Sequence, residues 1–118
     1  MSVDPFADRL AKVRQRFVST IEKKIEDAYG AVPKLSAPVP TASTSVAEAY
    51  RCIHGIVGIG PTVGFPSTGR AARDVEDVLR SPHRDCRGLT AEEVALFLKR
   101  LHALRDAASL ELDFFHST

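Results

Sequence analysis

Tryptophan and asparagine are absent from this chain of 118 residues, and only two of its residues are cysteine. Without asparagine, the tripeptide His83-Arg84-Asp85 cannot belong to a kinase catalytic loop, which needs an asparagine shortly after the aspartate. No Gly-x-x-x-x-Gly-Lys-Ser/Thr loop is present, so we expect no ATP site of that kind. The first residues lack the basic start and apolar core of a secretory signal. Two reduced thiols in a cytoplasm therefore explain the cysteines better than a disulfide does.

The net charge is also small, at +1. No overall field therefore favours nucleic acid or an anionic membrane as a partner. No apolar run approaches the ~20 residues of a membrane-spanning helix. His83 and Cys86 have a spacing that a metal site can use, but no further ligands converge on them, so we expect no metal and no cofactor. The length predicts one domain over residues 1–118, with a core at about 6–112.

Apolar residues recur at three- and four-residue steps in four segments, and no segment alternates as a strand does. The first segment begins with Asp4 as its N-cap and Pro5 at the first helical position. Gly30 and Pro33 are expected to end this helix. Residues 34–44 contain two prolines and a cluster of small polar residues, which predicts a connecting loop.

The second segment starts with a capping box at Ser45–Glu48 and should weaken beyond Gly58, because Pro61 lacks an amide hydrogen. A third helix is expected from about Pro66 to Arg80, followed by a loop at 81–89. The fourth opens with another capping box, Thr90 to Glu93. Four amphipathic helices with connecting loops predict an all-α fold, an antiparallel up-down-up-down four-helix bundle.

His54 lies at the edge of the apolar stripe of the second helix, in the same row as Arg51 and Gly58. Its imidazole is therefore expected to reach solvent. Glycine inside a helix costs about 1 kcal/mol relative to alanine. The glycines that follow His54, including Gly55 and Gly58, therefore indicate a need for open space beside the ring.

His54, Gly58, Gly64 and Phe65 also resemble the signature of the histidine-containing phosphotransfer (HPt) domains of bacterial His-Asp phosphorelays. That signature is a histidine, a glycine four residues on, and a second glycine six further, followed by an apolar residue. The resemblance covers about residues 6–112, although the signature itself is short. It implies a helical bundle with His54 as the phosphoacceptor and Gly64 as a structural glycine of the motif. Gly55 and Gly58 would then give steric access to the phosphorylated ring.

The sequence departs from the family in the cations near this histidine. Many members carry a lysine three residues after the histidine and often a basic residue directly after it. Here those positions are Val57 and Gly55. Arg51, one turn before His54, is the candidate for a cation that approaches the phosphoryl oxygens.

The resemblance implies a protein that shuttles a phosphoryl group between receiver-domain aspartates through phospho-His54. A neutral imidazole nitrogen is a good nucleophile near pH 7, because the unperturbed pKa of this group is about 6.5. Such a carrier has no kinase activity of its own, and the divalent metal belongs to the partner receiver domain. The expected partners are receiver domains of response regulators or hybrid histidine kinases, with no nucleic acid and no membrane. We expect a cytoplasmic monomer.

Two alternatives stay open. Residues 57–61 resemble the hairpin of helix-hairpin-helix DNA-binding proteins, in which the amides of glycines such as Gly58 and Gly60 grip a phosphate. A lysine or arginine usually follows that hairpin, and Thr62 stands here instead. A helical adaptor, or an HPt-like protein without phosphotransfer, would tolerate the loss of His54 altogether.

Two further features have simpler interpretations. On the third helix, arginines are mixed with acidic residues, a pattern more typical of a solvated face than of an anion site or part of a docking surface; these residues are Arg70, Arg73, Asp74, Glu76, Asp77 and Arg80. Residues 114–116 are interpreted as a frayed tail or as an end-cap on the bundle.

Overall fold

The computed structural model describes residues 4–117, and within this range the chain forms four helices and no strand. The helices are α1 (Pro5–Leu35), α2 (Thr41–Thr62), α3 (Pro66–Arg84) and α4 (Ala91–His116). Both α1 and α3 pack against α2 and α4, so the four helices surround one core. None of these helices has the length and apolar character required to cross a membrane.

Contacts between helix ends give the direction of each helix. Near the start of α1, Arg14 Nε donates to the carbonyl of Val63, directly after α2, across 3.0 Å. Near the end of α4, Glu111 Oε1 accepts from the amide of Thr68, at the start of α3, across 2.6 Å. Both contacts join the start of one helix to the end of a neighbour. They fit helices that alternate in direction, and the expected all-α four-helix fold is confirmed.

The predicted helix starts are confirmed at two of the four helices by their capping hydrogen bonds. The Asp4 carboxylate accepts from the amide of Phe6 across 3.0 Å. Thr90 and Glu93 form a complete capping box, in which the Thr90 hydroxyl accepts from the Glu93 amide and the Glu93 carboxylate accepts from the Thr90 amide. Side chains of this kind satisfy amides that the first turn leaves without a helical partner.

The predicted capping box at Ser45 is wrong. Helix α2 begins one turn earlier, at Thr41, and Ser45 is buried inside it. Ala42 lies one turn before Val46, and both side chains are fully buried. The apolar stripe therefore extends towards the N-terminus, and burial adds a turn that local capping chemistry does not predict.

Three helices also continue further than the sequence indicates. Pro33, Pro61 and Pro82 are all helical, and each lies in the last turn of its helix. A proline there removes one backbone hydrogen bond without breaking a long downstream segment. The helix ends expected at residues 30–33 and at Arg80 therefore come too early, and α2 continues through Pro61. The loop predicted at 81–89 is shorter and lies at residues 85–90.

Helices α2 and α3 approach each other closely at one point. A Cβ atom on Gly69 would lie 2.7 Å from both Cγ and Cδ of Pro61, so only glycine fits there without movement of the proline. The turn between the two helices contains Gly64, whose φ is 93°, in the left-handed region that favours glycine. The turn that brings α3 back along α2 thus requires a glycine at Gly64, the second glycine of the signature.

The predicted end-cap is formed by Phe115. Helix α4 continues to His116, and the ring of Phe115 lies 6.1 Å from the ring of buried Phe65. Phe65 in turn packs on Phe17 with ring centroids 5.0 Å apart. Phe114, in contrast, is 74% exposed.

Glu93 provides a prediction about acid stability. The Arg87 guanidinium, with help from the Thr90 amide, holds the pKa of Glu93 at about 2, compared with 4.5 for the free group. The ionised carboxylate therefore stabilises the fold fully above pH 4.5, and this contribution is lost as the pH falls towards 2. Because both side chains are partly exposed, 37% for Arg87 and 25% for Glu93, solvent screens the pair.

We expect Glu93→Gln to lower the free energy of unfolding at neutral pH by about 1 kcal/mol. The difference from wild type should shrink between pH 4.5 and 2. Urea unfolding at several pH values measures both effects. Glu92→Gln, an exposed carboxylate in the same helical turn, is the matched control and should change little. A Glu93→Gln difference that is constant down to pH 2 would contradict the role assigned to this carboxylate.

Candidate functional site

His54 lies in the second half of α2, and 66% of its side chain is exposed. Its Nδ1 atom is 2.6 Å from Oε2 of Glu76 on α3. A carboxylate oxygen can only accept, so Nδ1 carries the proton of the neutral ring and Nε2 carries the lone pair. No group within the described range is hydrogen-bonded to Nε2. The nucleophilic nitrogen therefore faces solvent on a ring that is anchored from its other side.

The carboxylate that anchors His54 is itself buried, with 7% of its side chain exposed. Its second oxygen, Oε1, accepts from Arg80 across 3.1 Å. Arg80 also pairs with the exposed Asp77 across 2.8 Å, and Asp77 and Glu76 raise the pKa of this guanidinium. One buried carboxylate thus holds an imidazole and a cation side by side.

The interpretation of Glu76 as part of a solvated face is wrong. The side chain turns inward from α3, where Ala72 and Leu79 are fully buried. Glu76 follows Ala72 by four residues and precedes Leu79 by three, so helical spacing alone places it at the edge of the apolar stripe. That spacing could have predicted the burial of Glu76. The charged residues around it indicated a solvated face instead.

Aromatic stacking holds the plane of the His54 ring. The Tyr50 ring, one turn earlier on α2, is nearly parallel to it, with an interplanar angle of 8° and centroids 5.8 Å apart. Tyr50 also stacks on His83 of α3, with centroids 4.4 Å apart. Together with the bond to Glu76, these stacked rings limit the rotation of the imidazole and leave its Nε2 edge free.

The space beside His54 is open, as the glycine pattern predicts. A Cβ atom on Gly55 or Gly58 would meet no atom of a neighbouring helix within 4 Å in the described part of the chain. Arg51 is exposed on the same helix, without a hydrogen bond or ion pair to any described residue. The structure therefore brings His54 and the open turn at Gly58 together, whereas Gly64 belongs to the turn after α2.

Residues 57–61 do not form the hairpin that the DNA-binding alternative requires. They are helical and belong to the last turns of α2. The carbonyls of Ile59, Gly60 and Pro61 accept hydrogen bonds from the backbone that follows. Backbone groups in a helix of this kind do not form the loop that grips a phosphate.

The other histidines present different chemistry. At His102, Nδ1 accepts from Arg105 and also contacts the hydroxyl of Tyr29. Because a guanidinium can only donate, the contact with Arg105 places the proton of neutral His102 on Nε2, so neither ring nitrogen offers a free lone pair. His83 is half-buried in its stack, and His116 contacts Phe115 at the end of α4. Across the described residues, no three potential metal ligands lie together.

Comparison of this chain with protein-family models, with curated proteins and with solved structures finds no match. The site must therefore be interpreted from its own geometry. In that geometry, one imidazole nitrogen of His54 faces solvent beside an open helical turn. The other nitrogen is bonded to a buried carboxylate that also holds a cation.

Proposed function

We propose that this protein is a histidine phosphotransfer protein, which carries a phosphoryl group between receiver-domain aspartates on His54. The observation that supports the proposal most directly is the bond from Nδ1 of His54 to buried Glu76. It sets the ring tautomer in which the exposed Nε2 is nucleophilic. The resemblance of His54, Gly58 and Gly64 to the HPt signature supports the same function.

In the proposed step, the Nε2 lone pair attacks the phosphorus of an aspartyl phosphate in line with the bond to be broken. The Nε2–P bond forms, the P–O bond breaks, and the aspartate leaves as a carboxylate. Nδ1 keeps its proton, so the imidazole gains a positive charge that the Glu76 carboxylate stabilises. The acyl phosphate and the phosphoramidate are both energy-rich, so the step is reversible and needs no nucleotide.

Arg80 is the cation best placed to assist this step from within the chain. It shares the Glu76 carboxylate with His54, and 53% of its side chain is exposed. Its remaining N–H groups can approach phosphoryl oxygens, as arginine often does. Arg51 remains a second candidate on the opposite side of the imidazole from Gly58. The divalent metal of the reaction would belong to the receiver domain.

Incubation with a panel of phosphorylated receiver domains tests the proposal. We expect the phosphoryl group to pass to this protein from at least one receiver, and to return to the receiver when the direction is reversed. If no receiver in a broad panel labels the protein, the proposal fails and the helical adaptor becomes the better explanation. Binding of a DNA duplex at low salt would instead favour the nucleic-acid alternative.

Gly58→Leu tests whether the open turn serves phosphotransfer. Leucine is the better helix former by about 0.8 kcal/mol, and its Cβ meets no neighbouring helix, so stability should be unchanged or slightly higher. The larger side chain should nevertheless crowd the approach of a receiver to Nε2 and slow transfer at least about 10-fold. Single-turnover transfer rates and thermal unfolding measure the two effects.

Gly30→Leu is the matched control for this substitution. Gly30 is an exposed glycine inside α1, also with open space for a Cβ atom. Leucine there should raise helix stability without any effect on transfer. Equal transfer rates for Gly58→Leu and wild type would show that this glycine is not kept for access.

A further inference from the structure

The first turn of α1 lies near the end of the bundle at which α2 ends. Arg14 contacts Val63, which follows the last residue of α2, and Leu10, one turn earlier, is half-buried against the core. Phe6, Leu10 and Val13 form one stripe that continues the row of buried Phe17. Phe6 is 70% exposed and Val13 is 42% exposed. We call these three residues the α1 patch.

A second apolar surface lies on α4 near the same end of the bundle. Leu110 and Phe114, one helical turn apart, are 72% and 74% exposed. They line a shallow groove with the α2–α3 turn. We call these two residues the α4 patch. Four exposed large apolar side chains at one end of a small protein are more than scattered surface residues and indicate an interaction surface; they are Phe6, Val13, Leu110 and Phe114.

The charges beside the two patches are opposite. Helical spacing places Arg9, Arg14 and Arg16 next to the α1 patch. Residues 106–117 contain three acidic residues and no lysine or arginine, and the same spacing places Asp106 and Asp113 beside Leu110. Within the described range, Arg9, Arg16, Asp106 and Asp113 form no ion pair. The basic patch and the acidic patch are therefore complementary to each other.

We propose that these patches join two copies of this chain in a two-fold dimer. The α1 patch continues the core stripe, and its exposed members, Phe6 and Val13, leave apolar surface open to the space at this end of the bundle. A second copy, turned end to end, fills that space and places its α4 patch on the α1 patch. The two-fold axis repeats the same contact with the roles exchanged, as an isologous interface requires. The proposal replaces the monomer expected from the sequence and does not depend on phosphotransfer.

Sedimentation of the full chain from ~10 μM to ~1 mM tests this interface. The expected result is a monomer–dimer equilibrium that weakens at high salt, since the ion pairs at the rim are exposed. Phe6→Asp and Phe114→Asp should each weaken the dimer at least about 10-fold. Val39→Asp changes an exposed apolar residue at the opposite end of the bundle and should leave the equilibrium unchanged. Circular dichroism should show every variant folded, because these side chains contribute little to the core.

Charge reversal identifies the partner as a second copy. A variant with Arg9→Glu and Arg16→Glu has two acidic patches, and a variant with Asp106→Arg and Asp113→Arg has two basic patches. Each alone should remain monomeric, because both contacts of its homodimer place like charges together. Mixed in equal amounts, they should form a heterodimer, in which both contacts again join opposite charges. A monomeric wild type at the highest concentration, or no association in the mixture, overturns the proposal.

Discussion

His54→Gln is expected to remove all labelling by a phosphorylated receiver while the bundle stays folded. An amide nitrogen cannot form the phosphoramidate, so no acceptor remains on α2. The side chain is largely exposed, and surface substitutions usually change stability by no more than about 0.5 kcal/mol. The glutamine amide can still donate to Glu76, which keeps that buried carboxylate paired. Radiolabel transfer and thermal unfolding measure the two halves of this prediction.

The remaining histidines are the internal controls for this experiment. His83→Gln, His102→Gln and His116→Gln should each be labelled nearly as wild type is, because none presents a free ring nitrogen beside an open turn. The label on wild type should be lost in acid and survive alkali, as a phosphorus–nitrogen bond does and an acyl phosphate does not. Acid-labile and alkali-stable label on the His54→Gln protein would place the phosphoacceptor elsewhere.

Glu76→Gln is expected to slow phosphotransfer by about 10- to 100-fold without removing the acceptor. With its one oxygen turned to Nδ1, glutamine still accepts from the ring and retains the tautomer, and Arg80 loses its acceptor on this residue. The negative charge that stabilises the imidazolium formed in the transfer step is lost. Single-turnover rates measure the effect, and the nitrogen chemical shifts of the ring show whether the proton stays on Nδ1.

Asp77→Asn is the matched control for the loss of charge at Glu76. Asp77 also pairs with Arg80, but it is exposed and does not contact His54. Its substitution removes one negative charge from the same helix and should leave transfer near the wild-type rate. If Asp77→Asn and Glu76→Gln slowed transfer equally, general charge on α3 would explain the effect better than the bond to His54.

The sequence predicted the number of helices and three of the four helix starts, Pro5, Pro66 and Ala91, because these depend on local chemistry. Asp4 and the Thr90–Glu93 capping box satisfy amides within a few residues of their own positions. The later ends of α1, α2 and α3 depend on burial against other helices. Pro33, Pro61 and Pro82 are tolerated where packing stabilises the last turn, and no local signal reports that packing.

At the candidate site too, some features follow from the sequence alone and others depend on the packing of the helices. Periodicity alone placed His54 at the edge of the apolar stripe, and glycine spacing alone indicated open space at Gly58, because both follow from positions along one helix. The partner of His54 lies 22 residues away on another helix. Its identity depends on the register of α2 against α3, which is set by the close contact of Pro61 with Gly69. Only that packing decided which ring nitrogen is anchored and which one faces solvent.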